Sequence, residues 1–266
     1  MKISITNSEE ADKFSLIITN LHRFSESVIL HFNSDKFYIQ GMDFTQVALF
    51  EVCIGSEDFF EVYDIKDNDS DNVGIRTAIL QKIFNARDVG QPISIDYEGE
   101  PDYIEISFEN KEDDTKYIPK YFRIPLIEID QDMLTIPDSD YPIEFSIPTK
   151  TFSTLIGQLL GFGDEIKFKC NEELISIKSM DYEGSMTVTL LNETDEYISE
   201  FLIEEDTDTE IKFSNKFFTH FCAFSKLSPE VALKLSDSSP MQMKYIMSEH
   251  SFMRFYLAPL QNDSTE

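Results

Sequence analysis

The chain has 266 residues, which is enough for one large domain or two of ordinary size. Its composition, 41% hydrophobic and 13% aromatic, excludes a disordered acidic chain, because such chains are too polar to bury a core. The 22 Lys and Arg face 50 Asp and Glu, which gives a net charge of −28. As an average this charge argues against nucleic-acid binding, so only a local concentration of bases would permit it.

The three cysteines, Cys53, Cys170 and Cys222, lie far apart and form neither a disulfide framework nor a CxxC metal motif. The N-terminal sequence has no apolar stretch of signal-peptide length. No segment approaches the ~20 apolar residues that a bilayer-spanning helix needs. We therefore expect a soluble protein of a reducing, intracellular compartment, with no membrane partner.

The first half of the chain predicts a helix, a hairpin, a second helix and a strand pair. The corresponding segments are residues 12–24, 37–52, 76–87 and 91–108. The helices show apolar residues at i, i+3/i+4 and i+7, and the strands alternate apolar with other residues. Met42 and Asp43 mark the turn of the hairpin, and Pro101 marks the turn between the later strands.

A proline-rich connector follows, punctuated by Pro119, Pro125, Pro137 and Pro142. Proline cannot donate to a strand ladder and resists helix, so this segment is predicted to be extended. The connector is unusually apolar, with Ile124, Leu126, Ile127, Ile129, Met133 and Leu134. These side chains either pack on their own domain or form a surface that binds partners.

The second half repeats the order of the first. Asp181, in "IKSMD", follows Asp43, in "IQGMD", by 138 residues. Helical patterns recur at residues 149–163 and 215–226, and paired strands recur around Pro240. Four elements copied in order indicate a duplication. We predict an N-terminal domain at 1–119, a connector at 120–137 and a C-terminal domain at 138–266.

Charges are distributed unevenly among these segments. The four helical segments contain one acid, Asp12, and eight bases, namely Lys13, Arg23, Arg76, Lys82, Arg87, Lys150, Lys216 and Lys226. A helix that buries one face exposes the other, so we expect these bases on exposed faces. The alternative is that apolar helices simply hold few charges of either sign.

Bases along helix faces, without interleaved aromatic residues, suit phosphate contacts and not base recognition. The expected binding to double-stranded DNA is sequence-independent, weak and sensitive to salt. Such a surface would work best if it curved around the duplex, because topology would then retain the protein. The charge pattern therefore favours a ring.

Four motifs, "IQGMDFTQVALFEV", "IEIDQDMLTIPDSDY", "PTKTFSTLIGQLLGFGDEIKFKC" and "MRFYLAPL", resemble the proliferating cell nuclear antigen type of DNA sliding clamp. The resemblance covers nearly the whole chain. It implies an α+β fold of two similar DNA-clamp (processivity-fold) domains, with helices lining a hole and antiparallel sheets outside. It also implies that three identical chains close head to tail into a homotrimer without catalysis, cofactor or metal.

The resemblance further implies partners and their binding residues. DNA polymerase and other proteins with a clamp-binding motif would bind a pocket under the connector, and a clamp loader would place the ring on DNA. The pocket would use Met42, Val47, Leu126, Ile129, Pro240, Tyr256, Leu257, Ala258 and Pro259. Subunits would meet through edge strands that contain Tyr103, Ile104, Ile106, Phe108, Ile175, Ile177 and Met180. The location would be nuclear, or the cytoplasmic or nuclear replication site of a virus.

Three other functions fit parts of the sequence. An enzyme could use paired carboxylates such as Asp43 and Asp181, which we interpret instead as turn residues that bond backbone amides. A subunit of a heterotrimeric checkpoint clamp would share the fold. An acidic DNA mimic would share the charge. Asn171, Glu172 and Glu173 stand where cellular clamps place a modifiable lysine, which indicates a distant or viral relative.

Overall fold

The computed structural model describes residues 1–65, 71–98, 103–110, 114–130, 132–136, 139–191 and 197–261. The chain divides into two compact units. Unit 1 comprises Met1–Phe44, Phe50–Leu134 and Met247–Phe252, and unit 2 comprises Thr45–Leu49, Thr135–Ile246 and Met253–Glu266. Each unit thus includes short segments from the other half of the chain, whereas the predicted domains are contiguous. The turn at Pro101 and the predicted boundary at residues 137–138 lie outside the described residues.

The first half of the chain contains nine of the described strands. They are β1 (Lys2–Ile5), β2 (Ser27–Phe32), β3 (Lys36–Met42), β4 (Ala48–Gly55), β5 (Val62–Asp64), β6 (Asp71–Arg76), β7 (Ile93–Asp96), β8 (Tyr103–Phe108) and β9 (Lys120–Pro125). The helices are α1 (Ser8–Asn20), the single turn α2 (Ser56–Phe59) and α3 (Thr77–Asn85). A 3-10 turn at Leu21–Arg23 extends α1.

The second half contains nine more described strands. They are β10 (Ile143–Pro148), β11 (Glu165–Asn171), β12 (Leu174–Met180), β13 (Ser185–Leu191), β14 (Glu200–Ile203), β15 (Asp208–Ser214), β16 (Glu230–Leu235), β17 (Met241–Ile246) and β18 (Phe252–Leu257). The helices are α4 (Thr149–Leu159), which a 3-10 turn extends to Phe162, and α5 (Asn215–Cys222). None of the helices in the described ranges is long and apolar enough to span a membrane.

The strand order is the same in both halves. The first half has strands in the orders β5-β1-β7-β8-β9 and β4-β3-β2-β6, and the second half has β14-β10-β16-β17-β18 and β13-β12-β11-β15. The strands pair antiparallel, as in Ile3 opposite Ile95 and Phe145 opposite Leu233. The predicted duplication and the α+β fold are therefore confirmed, since sequence-distant strands pair identically in each half.

Each unit has its own phenylalanine-rich core between helices and strands. In unit 1 the Phe84 ring packs on Phe14 at 5.9 Å and on Phe108 at 5.5 Å between centroids. In unit 2 Phe152, which is 138 residues after Phe14, packs on Phe218 at 6.3 Å. Full burial of such a side chain contributes roughly 1.5–3 kcal/mol. The helical stripes read from the sequence are thus the core-facing sides of α1 and α4.

Helix α1 begins earlier than predicted, at Ser8 instead of residue 12. The Asn7 side chain caps it, with Oδ1 accepting from the Glu9 amide at 2.9 Å, and carboxylates in a first turn interact favourably with the helix dipole. The true helix therefore contains Glu9 and Glu10 beside Asp12. This extension corrects the charge count, because α1 is acidic and only the other long helices are free of acids.

The strands predicted to be sheet edges are interior strands. β8 lies between β7 and β9, and β12 lies between β11 and β13. Ile104, Ile106, Phe108, Ile175 and Ile177 are at most 2% exposed, because they face the cores of their units. Tyr103 is half-buried and Met180 is 61% exposed. The interface assigned to these seven residues is therefore not supported, and β9 and β13 end the two sheets instead.

Candidate functional site

Three predicted cations stand on helices that carry no acid. Lys82 on α3, Lys150 on α4 and Lys216 on α5 are exposed, and these helices contain no Asp or Glu. The opposite faces bury apolar residues, so the lysines project to solvent because of the helical period. Within the units, α1 packs against α3 and α4 packs against α5. Each unit thus presents a helix pair with exposed positive charge.

Three further cations lie at helix ends. Arg23 is exposed, and its Nε donates to Asn20 Oδ1 at 2.8 Å. Arg76 precedes α3 and Lys226 follows α5, and both are exposed. These positions allow contact with an extended polyanion, since the side chains reach beyond the helix body.

Lys13 and Arg87 are engaged by acids of α1. Lys13 Nζ lies 2.7 Å from Glu9 Oε1, and this hydrogen bond holds the pKa of Glu9 below its usual value. The Arg87 side chain is 3% exposed, with Nη1 2.8 Å from Asp12 Oδ1 and Nε 2.7 Å from the Gln91 carbonyl. Burial lowers the pKa of the Arg87 guanidinium, and the Asp12 hydrogen bond acts in the opposite direction. Arg87 is therefore a structural cation and leaves the proposed DNA-facing set.

The connector is held to unit 1 at two places. The Ile127 amide donates to the Gly74 carbonyl at 2.9 Å. Farther along, Gln40 makes a reciprocal pair with Leu134, donating through Nε2 at 3.0 Å and accepting through Oε1 at 2.8 Å. Residues 120–125, predicted as part of an extended connector, form β9 and pair with β8. In the described part of the connector, residues 126–130 and 132–136 have no strand structure.

Gly74 is needed for this attachment. A Cβ added there would lie 2.2 Å from the Ile127 carbonyl oxygen, so Gly74→Ala should displace the connector. We expect a loss of about 1–3 kcal/mol in unfolding free energy and faster exchange of the Ile127 amide. Denaturant unfolding and hydrogen exchange would measure both.

The matched control is Gly157→Ala in α4. A Cβ there meets nothing within 4 Å, and the residue is exposed. Because glycine disfavours helix interiors, this variant should gain about 0.5–1 kcal/mol. If Gly74→Ala matched the parent protein in stability and exchange, the Gly74 contact would not hold the connector.

The predicted pocket residues fall in both units. In unit 1, Met42, Leu126 and Ile129 are partly exposed. In unit 2, Pro240 is exposed and Leu257 is fully buried. The remaining members are partly exposed: Val47, Tyr256, Ala258 and Pro259. Leu257 therefore belongs to the unit 2 core and cannot contact a partner directly.

Backbone and side-chain contacts within unit 2 hold the unit 2 members of this set in place. The Ala258 amide donates to the Val47 carbonyl at 3.0 Å, which joins residues 45–49 to the end of β18. The Tyr141 hydroxyl donates to the Pro240 carbonyl at 3.0 Å, and burial raises the pKa of Tyr141. The Arg254 guanidinium lies 5.3 Å from the Tyr256 ring centre.

Three residues near the predicted partner surface were missed. Phe44, just after the Met42-Asp43 turn, is 63% exposed, and Met133 on the connector is 59% exposed. Large apolar side chains in such positions indicate a contact surface. Gln40 was missed because its pairing with Leu134 spans 94 residues, and no local pattern signals it. The exposure of Phe44 follows from its place in the predicted turn.

Asp181, one of the two carboxylates considered for catalysis, has a simpler role as a turn residue. Asp181 Oδ1 accepts from the amides of Glu183 at 2.7 Å and Gly184 at 2.9 Å, which confirms its turn role. Asp43 is 8% exposed. In the described part of the chain, no group of three His, Cys, Asp or Glu side chains is arranged to hold a metal ion.

Comparison with known proteins assigns both halves of the chain. Family models described as "Proliferating cell nuclear antigen, N-terminal domain" and "Proliferating cell nuclear antigen, C-terminal domain" match residues 7–133 and 135–260. Proliferating cell nuclear antigen of Chaetomium thermophilum is 28% identical over 233 residues, which cover 87% of this chain and 88% of the relative.

Two other relatives agree. "Proliferating cell nuclear antigen 2" of Drosophila melanogaster is 26% identical over 225 residues, 85% of each chain. Proliferating cell nuclear antigen of Dictyostelium discoideum is 24% identical over 254 residues, 94% of this chain and 96% of the relative. This chain therefore belongs to the proliferating cell nuclear antigen family of DNA sliding clamps and is not an enzyme.

Proposed function

We propose that this protein encircles duplex DNA as a homotrimer and tethers DNA polymerase and other replication and repair proteins. The observation that carries the proposal is the segregation of charge. A chain of net charge −28 keeps Lys82, Lys150 and Lys216 exposed on three helices without acids. Non-specific affinity for phosphates would be modest, so a closed ring is the feature that retains the protein. Arg23, Arg76, Lys226 and Lys13, which is paired with Glu9, complete the proposed DNA-facing set.

We propose that β9 of one subunit pairs with β13 of the next. Among the strands that end the sheets β5-β1-β7-β8-β9 and β13-β12-β11-β15, β5 has only three residues. β15 already accepts a backbone hydrogen bond from outside the sheet, because the Leu260 amide donates to the Lys212 carbonyl at 2.8 Å. β9 and β13 have six and seven residues and are the better candidates. Contact between two different edges is heterologous and can close a ring.

A closed ring must open to reach internal DNA, so we propose that a clamp loader acts on this protein. Neither the DNA polymerase nor the clamp loader has to carry out a reaction on the ring itself. A tether acts by raising the local concentration of the enzyme that it holds.

The relatives come from eukaryotes, which supports a nuclear location.

We propose that partner peptides bind the apolar residues of the connector in unit 1, including Leu126 and Ile129. Helix-in-groove recognition needs a pre-formed apolar floor, and the Gly74 and Gln40 attachments provide a fixed connector. The exposed Phe44 and Met133 extend the apolar area.

Changing Leu126 and Ile129 to Ser tests the peptide site. A labelled peptide with one aliphatic and two aromatic anchors on a helical turn should bind at least tenfold more weakly, because apolar burial is lost. Fluorescence anisotropy measures the affinity. Ile129 also lies near Gly74, so thermal unfolding must show that the variant is folded.

The control is Leu202→Ser on β14. It removes an apolar side chain that is 65% exposed and is not part of the predicted pocket. Its peptide affinity should equal that of the parent protein. Equal affinity for the Leu126 and Ile129 variant would mean that partners bind another surface.

A further inference from the structure

Three lysines stand side by side across three strands of unit 2. Lys167 on β11 is directly opposite Lys178 on β12 and directly opposite Lys212 on β15. We name these three residues the lysine row. Directly opposed residues share a face of the sheet, and the alternate residues Ile166 and Phe168 are fully buried. The lysine row therefore lies on the solvent face.

This arrangement is unfavourable in the isolated protein. Like charges directly opposite one another destabilise a strand pair, and the lysine row contains two such pairs. Lys169 adds a fourth charge, since it lies two residues from Lys167 on the same face and is exposed. An anion bound between these lysines would relieve the repulsion.

Three acids of these strands lie on the same face and partly compensate the lysines, namely Glu165 on β11 and Asp208 and Glu210 on β15. Lys167 Nζ lies 2.6 Å from Glu210 Oε1, and Glu210 is directly opposite Lys169. The hydrogen bond from Lys167 lowers the pKa of Glu210 despite partial burial, and Lys212 and Lys169 act in the same direction. Four lysines thus share this face with three carboxylates, which leaves net positive charge for an external anion.

Hydroxyl groups extend the same face beside the lysines. Thr187 on β13 is directly opposite Lys178, and Ser176 on β12 is directly opposite Lys169. Hydroxyl and ammonium groups are the donors that a carboxylate accepts. The face therefore offers both charge and hydrogen bonds to a carboxylate ligand.

We propose that the lysine row is a docking site for a short acidic peptide segment of a partner protein. Neighbouring strands lie ~4.8 Å apart, so the row spans roughly 10 Å. In an extended peptide, every second side chain shares a face and lies ~6.8 Å from the next. Two or three carboxylates of one segment therefore match the row.

The surroundings favour a short peptide over a nucleic acid. Exposed acids surround the lysine row at the ends of the strands and in the adjoining segments, namely Glu165, Glu172, Glu173, Glu204, Glu205, Asp206 and Asp208. A longer polyanion would have to cross these residues on a molecule of net charge −28, whereas a short acidic segment ends within the lysine row. This site is separate from the helix cations and does not depend on the clamp function.

Fluorescein-labelled hexaglutamate is the probe, with affinity measured by anisotropy at low salt. The triple variant Lys167→Gln, Lys178→Gln and Lys212→Gln should bind at least tenfold more weakly. The matched triple variant Lys82→Gln, Lys150→Gln and Lys216→Gln removes the same charge from the helices and should stay within twofold of the parent. The first variant should also unfold at an equal or higher temperature, because a repulsion is gone.

Three results would overturn the proposal. The parent protein could fail to bind hexaglutamate, or the two triple variants could lose affinity equally, which would indicate a non-specific charge effect. Tighter binding of a six-nucleotide oligothymidylate than of hexaglutamate would make nucleic acid the occupant. Polymerase stimulation by the lysine-row variant should remain, so failure here is distinguishable from failure of the clamp function.

Discussion

Replacing Lys82, Lys150 and Lys216 by Glu should abolish stimulation of a DNA polymerase on primed DNA. These lysines are exposed on helices without acids, so each reversal puts a negative charge where a phosphate contact is proposed. Each lost phosphate contact should reduce the slope of log affinity against log salt by about one. Primer extension and salt-dependent DNA binding measure the two effects.

The control reverses an equal number of charges away from the helices. Lys167→Glu, Lys178→Glu and Lys212→Glu together change the net charge by the same amount, and polymerase stimulation should be retained. Both variants should keep the parent's assembly state, because none of these residues lies on β9 or β13. Unchanged stimulation by the helix variant would mean that DNA does not pass along these helices.

Placing like charges on the proposed subunit contact should convert the assembled protein to monomers. β9 already carries Lys120 and Arg123, and Tyr121 is 69% exposed. With Tyr121→Lys in the background, Ser185→Lys and Thr189→Lys would put cations on both strands of the contact. Like-charge juxtaposition costs several kcal/mol, so the mass should fall toward one chain at about 1 µM.

The matched variant keeps Tyr121→Lys but carries Ser185→Glu and Thr189→Glu. Opposite charges then face each other across the contact, so the assembly should persist. The two variants differ only in the sign of the charge at β13, which separates electrostatics from loss of packing. Equal masses for both would place the subunit contact on other strands.

The duplication could be predicted because burial imposes a local pattern. Phe14 and Phe152 occupy equivalent helix positions 138 residues apart, and both are buried against the core of their unit. Asp181 was recognised as a turn residue because its Met-Asp context ends one strand and precedes another. Such features depend on period and turn chemistry, which a sequence displays directly.

Sheet edges could not be predicted, since they depend on which distant strands pair. The residues of β8 and β12 alternate between apolar and other types, as in an edge strand. In the structure, however, β9 pairs with β8 and β13 pairs with β12, so β8 and β12 are interior strands. The lysine row is hidden for the same reason: Lys167, Lys178 and Lys212 are scattered in the sequence and meet only through strand register. Register follows from long-range pairing and turn geometry together.

Some errors had a signal in the sequence. Asn7, followed three residues later by Glu10, is a helix-start pattern that would have placed the beginning of α1 correctly. Arg87 had no comparable signal, because its partner Asp12 lies 75 residues away. Leu257 follows the buried alternation of β18, so its burial was readable from Met253 and Phe255.

We propose that this anionic chain closes into a ring around DNA, and its mass in solution shows whether three chains assemble. Light scattering at micromolar concentration should give about three times the chain mass of 30.8 kDa, and negative-stain images should show a central hole. A persistent monomer, or a trimer without a channel, would contradict the account.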